Sequence, residues 1–456
     1  MRTTANSDIL VCGYTSSTNL ATVYPSSGAT GTSTKTSSAE NVLVFRLSNN
    51  LDTLTWMRNY GGTGTDIATI MNTNQVNGDL FVAGYTSSTG FPVTATNGGS
   101  ETARQSTMVG TNGTAADYNG FIQKLDHLGN IVWSSYFNPS ASGKLVQILC
   151  MELNTTGTSV YFGGLTTGLA TSNISSSGVY QSTIGGGLDF FVAKMDTNQH
   201  FDVATYLGGS SNEVNMMGLN TDLNNDVYIL GYSSSANFPV TSSTALQSSK
   251  RNVDTTETFT KLSSLLDTLE YSTFYGGTVN DFDPVGERGI KFFNCRIYTV
   301  FTSESVNVPL TVGALDTVKG SSSSIYEPGI CVWANPPDLA NNTITGSTKV
   351  CSGNEPSSFT GSLPSYQLAK IVRSGDGKDS SYPVTLNSAT VYQWQYSTDS
   401  INWYNVTGGT TQNLANNLIG TITQTTYFRR VIGGDACIIA ELYGEFPEKH
   451  TFGEDL

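Results

Sequence analysis

Three acidic residues recur at one place in a repeating sequence: Asp66, Glu213 and Asp281. They stand 18, 18 and 20 residues before matching sequence blocks that open with Gly84, Gly231 and Phe301. A ring of carboxylates could bind Ca²⁺ or a polyol, and two of them could act as general acid and base on a glycosidic bond. The structural alternative is that each acid accepts backbone N–H bonds from its own turn. A catalytic pair needs two different environments, so a repeated acid favours the structural role.

The blocks that follow these acids define the repeat. Four copies share a glycine, a tyrosine or leucine, and a run of Thr and Ser, and a fifth copy is altered: 13–17, 84–88, 164–167, 231–234 and 301–303. Their starts are 71, 80, 67 and 70 residues apart, which is too regular for chance and too long for a helical solenoid unit. The chain is therefore predicted to be an array of about five similar modules.

Each module carries four apolar runs in a fixed order, and each run alternates as strands do. In the best-preserved module the runs span residues 214–219, 226–232, 257–262 and 268–275. Residues that tolerate positive φ, as in Asn77-Gly78-Asp79, separate the runs and predict tight antiparallel hairpins. Four short antiparallel strands in about 70 residues predict a β-propeller blade with a long loop after its Gly-Tyr-Thr run.

Two further motifs complete the module. The third run ends in a basic residue, an apolar residue and Asp or Ser, and the fourth ends before a Gly pair, as in 190–196 and 205–209. With the Gly-Tyr-Thr-Ser strand and a Phe-Pro loop, these motifs resemble the SBBP family of β-propeller repeats over residues 8–335. The resemblance implies an all-β fold in which residues 1–336 form a β-propeller of about five four-stranded blades. The three acids would then form a ring about its axis.

The modules depart from this pattern in three places. The module around Tyr136-Phe137-Asn138-Pro139 has lost its Gly pair, and Lys144 stands near the place of its missing acid. The first module is expected to begin at its second strand, and the last module is expected to end before its fourth. These departures leave ring closure open.

Two small features of the module have structural interpretations. The paired glycines are expected to let the backbone turn sharply where strands converge. A hydrophobic residue seven positions after the start of the block is expected to pin the long loop: Leu20, Phe91, Phe238 and Val308.

The composition changes near Asn335-Pro336-Pro337, where a domain boundary is predicted. Residues 340–445 contain short alternating strands with an interior Trp between two Cys, which is typical of a β-sandwich. They resemble the immunoglobulin-like modules of large surface proteins in the Bacteroidetes, in which a Trp-Gln strand and a Thr-Tyr-Phe-Arg-Arg strand recur. Trp394 is expected in the core and Trp403 over a sheet edge or hairpin, and residues 446–456 are expected to form a tail.

Six cysteines are spread over the chain. Cys351 and Cys437 are the pair whose positions favour a disulfide, across a separation of 86 residues. A bridge of that span stabilises a fold by about 4 to 5 kcal/mol in the chain-entropy model. The other four have no CxxC motif or nearby His and are expected to be buried small hydrophobes rather than metal ligands: Cys12, Cys150, Cys295 and Cys331.

Composition argues against several partners and chemistries. A formal net charge of −14 opposes nucleic-acid binding, because phosphate contacts need clustered Lys and Arg. No run is long and apolar enough to span a bilayer, so direct membrane insertion is not expected. Two of the three His fall at one repeat position in successive modules, which does not predict a triad or a His-metal site. No cofactor is expected other than Ca²⁺ at the acidic ring.

The family resemblance implies a secreted or cell-surface protein. Residues 1–7 lack the apolar segment of a signal peptide, so the export signal is expected outside this sequence. Related Bacteroidetes proteins often end in a sorting domain for type IX secretion or a gliding-motility-type C-terminus, and residues 446–450 resemble neither. Other modules of a longer chain are therefore expected partners.

These features predict a non-enzymatic binding or adhesion protein. The propeller would present loops such as 94–117 to polysaccharides or other surface components, with the immunoglobulin-like module as a spacer. The alternative is a polysaccharide lyase or glycoside hydrolase that uses the axial carboxylates. A third interpretation is an architectural stalk without a ligand, since a repeated scaffold does not by itself define a function.

Overall fold

The computed structural model describes residues 1–4, 7–17, 20, 30–33, 39–74, 77–93, 105–154, 156–173, 178–222, 224–241, 245–252, 254–279, 289–293, 296–305, 307–308, 327–334, 339–340, 343–346, 352–362, 365–368, 382–385, 391–399 and 402–433. The chain is all-β and divides into two compact units. The first unit contains Met1–Ile290, Thr299–Val308 and Asp316–Ile330, and the second contains Lys291–Tyr298, Pro309–Leu315 and Cys331–Leu456.

Four sheets follow one another in the first unit. In strand order, the first sheet contains β1 (Arg2–Thr3), β2 (Ile9–Thr15), β4 (Asn41–Leu47), β5 (Leu54–Tyr60) and β3 (Thr30–Ser33). The second contains β6 (Asp66–Thr73), β7 (Leu80–Thr86), β8 (Asn119–Leu125) and β9 (Ile131–Phe137). The third contains β10 (Val146–Leu153), β11 (Ser159–Thr166), β12 (Asp189–Asp196) and β13 (Phe201–Leu207). The fourth contains β14 (Glu213–Thr221), β15 (Val227–Ser233), β16 (Thr256–Leu262) and β17 (Leu269–Tyr275).

Strands that follow one another in the second, third and fourth sheets pair antiparallel, which confirms the prediction of four-stranded modules. The first sheet differs in two ways. Its strand β3 comes from the loop after the Gly-Tyr-Thr run and pairs parallel with β5. The expectation that the first module begins at its second strand is wrong, because β1 pairs with β2 through Arg2↔Leu10 and Thr3↔Ile9. A three-stranded sheet has the order β18 (Ile290–Phe293), β19 (Arg296–Ser303) and β20 (Glu327–Ala334).

The hairpin between the third and fourth strands is similar in all four sheets, with a turn of six residues in the first and fourth sheets and of five in the second and third. A register shift begins each of these hairpins, after the basic residue of the third strand. One residue of each turn is left-handed, with φ of 63°, 76°, 72° and 58° at Leu51, Gly129, Gln199 and Leu266. A left-handed residue reverses the chain within the right-handed twist of the strands, and glycine adopts it most readily. Three modules therefore hold a larger residue in a strained conformation.

Consecutive sheets pack face to face, and we call the three contacts between them the first, second and third seams. Each seam encloses an apolar cluster with members from both sheets. Representative members are Trp56 and Phe121 in the first, Phe137 and Phe162 in the second, and Phe190 and Phe274 in the third. Neighbouring residues of β7 pack on opposite faces of the sheet, since Phe81 lies in the apolar cluster of the second seam and Val82 in that of the first. The inner strands are consequently buried on both faces.

Hydrogen bonds join the sheets at both ends of the seams. The first residue of β6, β10 and β14 donates its backbone N–H to a carbonyl just before the third strand of the preceding sheet: Glu40 at 2.8 Å, Tyr118 at 2.8 Å and Leu188 at 2.7 Å. At the other end, the indole of Trp56 donates to the His127 carbonyl at 3.1 Å, and that of Trp133 donates to the Thr197 carbonyl at 3.2 Å. These bonds fix each sheet against the next.

The predicted hydrophobic anchors are confirmed as buried at Phe91, Phe238 and Val308. The Phe91 ring contacts Tyr60 of the first sheet and Phe121 of the second, with ring centroids 6.2 and 4.5 Å away. An aromatic ring that contacts both sheets ties the start of the long loop to the seam.

In the part of the second unit that the structure describes there are three small sheets and one short helix. Their orders are β21 (Leu339–Ala340), β24 (Ser365–Leu368), β25 (Tyr382–Thr385); β22 (Ile344–Thr345), β23 (Thr360–Gly361); and β27 (Tyr404–Asn405), β26 (Val391–Ser397), β28 (Tyr427–Gly433), with helix α1 at Asn416–Ile419. Trp394 is fully buried beside Phe359 and Leu414, which confirms its predicted core position. Among the described residues, no helix has the length and apolar character that crossing a membrane would require.

Candidate functional site

Asp66 is the first residue of β6 and lies fully buried in the first seam. Its Oδ2 accepts the Gly62 N–H at 2.7 Å and the Ser88 hydroxyl at 3.0 Å, and its Oδ1 accepts the Thr86 hydroxyl. The Ser88 N–H donates in turn to the Thr86 hydroxyl oxygen at 2.9 Å. Burial nevertheless raises the pKa of Asp66 to about 6. The carboxyl group therefore closes its own turn onto the end of β7.

Glu213 holds the same place at the start of β14 in the third seam. Its Oε1 accepts the Ser233 hydroxyl at 2.9 Å and the Gly209 N–H at 3.4 Å. Its carboxyl group interacts with that of Asp189. Both groups lie against Gly208, since a side chain there would lie 2.5 Å from Glu213 Oε2 and 2.7 Å from Asp189 Oδ2. Burial, together with the neighbouring Asp189 charge, raises the pKa of Glu213 to about 8.

Asp189 completes this buried pair from the first position of β12. Its carboxyl oxygens accept the N–H groups of Gly185 at 2.7 Å and Gly186 at 3.1 Å. The corresponding residue of the first seam is Asn41, which is also fully buried. Neither polar atom of the Asn41 side chain has a hydrogen-bond partner among the described residues. The two seams thus have the same layout and different polar chemistry.

The second seam has no acid at this place. Val146 pairs with Thr166 as Asp66 pairs with Thr86, so Val146 is the equivalent residue. Lys144 stands two positions before it, near the place of the missing acid as predicted. Without a carboxylate to bond, the Thr166 hydroxyl donates to the Leu145 carbonyl at 2.9 Å.

Asp117 supplies a carboxylate to the second seam from another part of the chain. It accepts the N–H groups of Gly143 and Thr111, the latter at 2.9 Å, and the Ser142 hydroxyl at 3.2 Å. These bonds, led by the one from Gly143, lower the pKa of Asp117. The turn that lost its Gly pair is thereby closed by a loop residue.

The Gly pair itself is explained by close packing. A side chain on the second glycine would collide with a serine two residues after the second strand: Gly62 with Ser88, Gly209 with Ser235 and Gly277 with Ser305, at 2.5, 2.5 and 2.1 Å between Cβ positions. Gly62, Gly209 and Gly277 are not left-handed. Close approach of the serine therefore excludes a side chain at these positions, and the role of the glycines in a sharp turn stays a prediction.

Several predicted residues lie outside the described part of the chain: Asp281, Cys295, Cys351 and Cys437. Cys150 is buried, as expected of a small hydrophobe, and its thiol donates to the Met216 carbonyl at 3.4 Å. Among the residues that the structure describes, no group of three or more His, Cys, Asp or Glu has the geometry to hold a metal ion.

Asp66 and Glu213 therefore occupy separate seams, where solvent does not reach their carboxyl groups. Each one receives hydrogen bonds from a glycine N–H and from a hydroxyl of its own sheet. These contacts are those of the structural alternative, in which the acid fixes its turn. The buried carboxyl groups of Asp66 and Glu213 can bind protons within the fold. Neither carboxyl group is accessible to a ligand in solution.

Asp189 and Asn41 were not predicted as site residues from the sequence. Both stand five residues before the shared basic residue of the third run, a place that is polar in four modules: Asn41, Asn119, Asp189 and Thr256. Alignment of the modules on that basic residue would have shown the position. The position is hard to recognise in the sequence because the polar residue differs from one module to the next.

The second unit exposes a pair of tyrosines. Tyr396 and Tyr404 are cross-strand partners, 39% and 58% exposed, with ring centroids 5.8 Å apart. Trp403 is half-buried, and the Arg429 guanidinium stacks 3.9 Å from its ring centroid. This contact covers one face of Trp403, on the strand edge where sequence placed it.

Comparison with known proteins adds one match. Residues 340–441 match a protein family described as a domain of unknown function, DUF8696. No curated protein matches the chain.

Proposed function

We propose that this protein is a secreted or cell-surface binding protein without catalytic activity. In this proposal residues 1–336 form a β-propeller that presents loops, and residues 340–445 form an immunoglobulin-like spacer. The successive four-stranded sheets support the propeller, because the first strand of each sheet lies beside that of the next, and each seam has its own apolar cluster. Sheets stacked in this way are typical of propeller blades.

The observation that carries the proposal is the burial of Asp66 and Glu213. The enzymatic alternative depends on the three repeated acids, of which the structure describes Asp66 and Glu213. Both are fully buried and hydrogen-bonded within their own sheets. A general acid or base must reach the bond that it cleaves. Asp66 and Glu213 do not meet that requirement.

We infer that the ligand is a polysaccharide or another neutral surface component. Only 13% of the residues are charged, and the formal net charge is −14. Such a surface disfavours polyanions and suits ligands that are recognised by hydroxyl and amide groups. The described part of the polar loop that ends near Asp117 exposes groups of this kind, such as Ser106 and Thr114.

The test uses the purified chain on a glycan array, with a reducing-end assay on every polysaccharide that binds. We expect retention of at least one glycan and no increase in reducing ends. The Glu213→Gln variant should bind the same glycans, because this side chain does not reach solvent. Depolymerisation that is lost in Glu213→Gln, while folding is retained, would establish the enzymatic alternative.

A further inference from the structure

We propose that Asp189 and Glu213 share one proton and act as a lock on the third seam, which loosens when alkaline solution removes the proton. This device is independent of the ligand proposed above. It rests on the placement of the two carboxyl groups and on the hydrogen bonds that each of them receives.

Both carboxyl groups are fully buried, yet their hydrogen bonds are unequal. Asp189 accepts two backbone N–H groups, from Gly185 and Gly186. Glu213 Oε2 is buried and accepts no well-formed hydrogen bond within the described residues, although the Ser235 hydroxyl interacts with the Glu213 carboxyl group. A buried carboxylate oxygen without a donor is costly. A proton on Glu213 Oε2 reduces that cost, because the resulting hydroxyl can donate to the Asp189 carboxyl group, which interacts with the Glu213 carboxyl group and lies against the same side of Gly208.

The neighbouring ammonium group does not replace this proton as a hydrogen-bond donor to the pair. Lys250, in the loop after β15, interacts electrostatically with both Glu213 and Asp254. The Lys250 ammonium donates to the carbonyls of Ser234, at 2.9 Å, and of Asp254. Its hydrogen bonds therefore go to backbone oxygens, and the proton remains the group that relieves repulsion between the two carboxylates.

The first seam provides an internal comparison. Asn41 stands there in place of Asp189, so Asp66 has no second carboxyl group opposite it. Burial raises the pKa of Asp66 to about 6, whereas that of Glu213 rises to about 8. The pKa is higher for Glu213, which has a second carboxyl group beside it, because repulsion between two like charges favours the protonated form.

The sign of the pH dependence follows from linkage. The ordinary pKa of Glu213 is 4.5 and its value in the fold is about 8, so the folded chain retains a proton that the unfolded chain has released. Stability from this group is therefore complete below pH 4.5, falls as pH rises towards about 8, and is then level. Glu213 is ionised at the end of this range, and the Asp189 charge that raises its pKa then repels it across the third seam.

The first experiment compares denaturation midpoints from acidic to alkaline pH for the wild-type chain and Glu213→Gln. A glutamine amide can donate to Asp189 and does not titrate. We expect the fall in the wild-type midpoint between neutral and alkaline pH to be reduced in Glu213→Gln and unchanged in the matched control Asp66→Asn. An equal fall in all three proteins would overturn the proposal.

The second experiment observes the proton directly and does not depend on a folded variant. Infrared spectra of the wild-type chain at neutral pH should contain the C=O stretch of a protonated, buried carboxylic acid, and this band should disappear in alkaline solution. Asp66→Asn should retain the band, and Glu213→Gln should lose it if that variant folds. Absence of the band from the wild-type chain at neutral pH would show that the pair is fully ionised and would refute the lock.

Discussion

Gly84 lies so close to Ile67 that a Cβ atom at position 84 would stand 1.9 Å from the Ile67 carbonyl oxygen. Gly164 has the same relationship with Gln147, also at 1.9 Å. In both sheets the first strand is irregular near this point and brings its backbone against the second strand. The glycine of the repeated block is therefore required by the neighbouring strand and not by its own backbone angles.

Replacement of Gly84 by alanine tests this relationship. Because the obstacle is a backbone carbonyl, Gly84→Ala should lower the free energy of unfolding by about 3 kcal/mol or more. Gly13 is the matched control, since a Cβ there would meet no atom within 4 Å. Urea denaturation should show Gly13→Ala close to wild type. Equal losses in the two variants would contradict the steric explanation.

The left-handed turns offer positions where a substitution should stabilise the chain. Leu51 has φ of 63° and is 61% exposed, so its side chain contributes little packing. Leu51→Gly should raise the free energy of unfolding by about 0.5 to 1 kcal/mol, through relief of the left-handed strain. Leu265 is similarly exposed and is not left-handed, so Leu265→Gly should be neutral or destabilising in the same thermal or urea titration. A gain in both variants would point to loss of exposed apolar surface instead.

Asp66 and Asp52 should affect stability with opposite dependence on pH. Burial raises the pKa of Asp66 from 3.8 to about 6, so its contribution to stability is lost as pH rises through that range. Hydrogen bonds from Ser48 and Thr53 lower the pKa of Asp52, so its contribution is present at neutral pH and lost in acid. The difference between wild type and Asp66→Asn should shift in favour of the variant as pH rises from 3.8 to about 6.

Asp52→Asn is the matched variant for that measurement. Its destabilisation should be greatest at neutral pH and should vanish in acid, when Asp52 itself becomes protonated. Denaturant titrations at a series of pH values measure both effects. Parallel pH profiles for the two variants would show that burial does not distinguish these carboxyl groups.

Arg430 is the key polar residue of the second unit's core. It is fully buried and donates to the carbonyls of Gln412 at 2.7 Å and Ser362 at 2.9 Å. Lysine cannot reproduce this fork, so Arg430→Lys should cost about 2 kcal/mol, the value of a hydrogen bond from a charged group. Arg429→Lys, which alters the stacked contact on Trp403, should cost about 1 kcal/mol or less. Denaturation followed by tryptophan fluorescence compares the two, and equal costs would contradict a special role for Arg430.

Periodicity and turn chemistry were sufficient to predict the four-stranded modules and the buried Trp394, because both depend on local pattern and on the burial of apolar groups. Local pattern does not report which side chains meet across a seam. The partner of Glu213 is Asp189, which lies 24 positions earlier in the chain and belongs to a different sheet. Strand pairing also identifies Val146, two positions after Lys144, as the residue at the place of the missing acid.

The three seams combine similar apolar clusters with different polar residues. The first pairs Asp66 with Asn41, the third pairs Glu213 with Asp189, and the second has Val146 at the corresponding place. Repeated modules risk packing against the wrong neighbour during folding. A sheet in the wrong position would bury a carboxyl group without its matched acceptor or proton, at a cost that an apolar cluster would not impose. These polar residues therefore favour packing of each sheet against its correct neighbour over packing against another module.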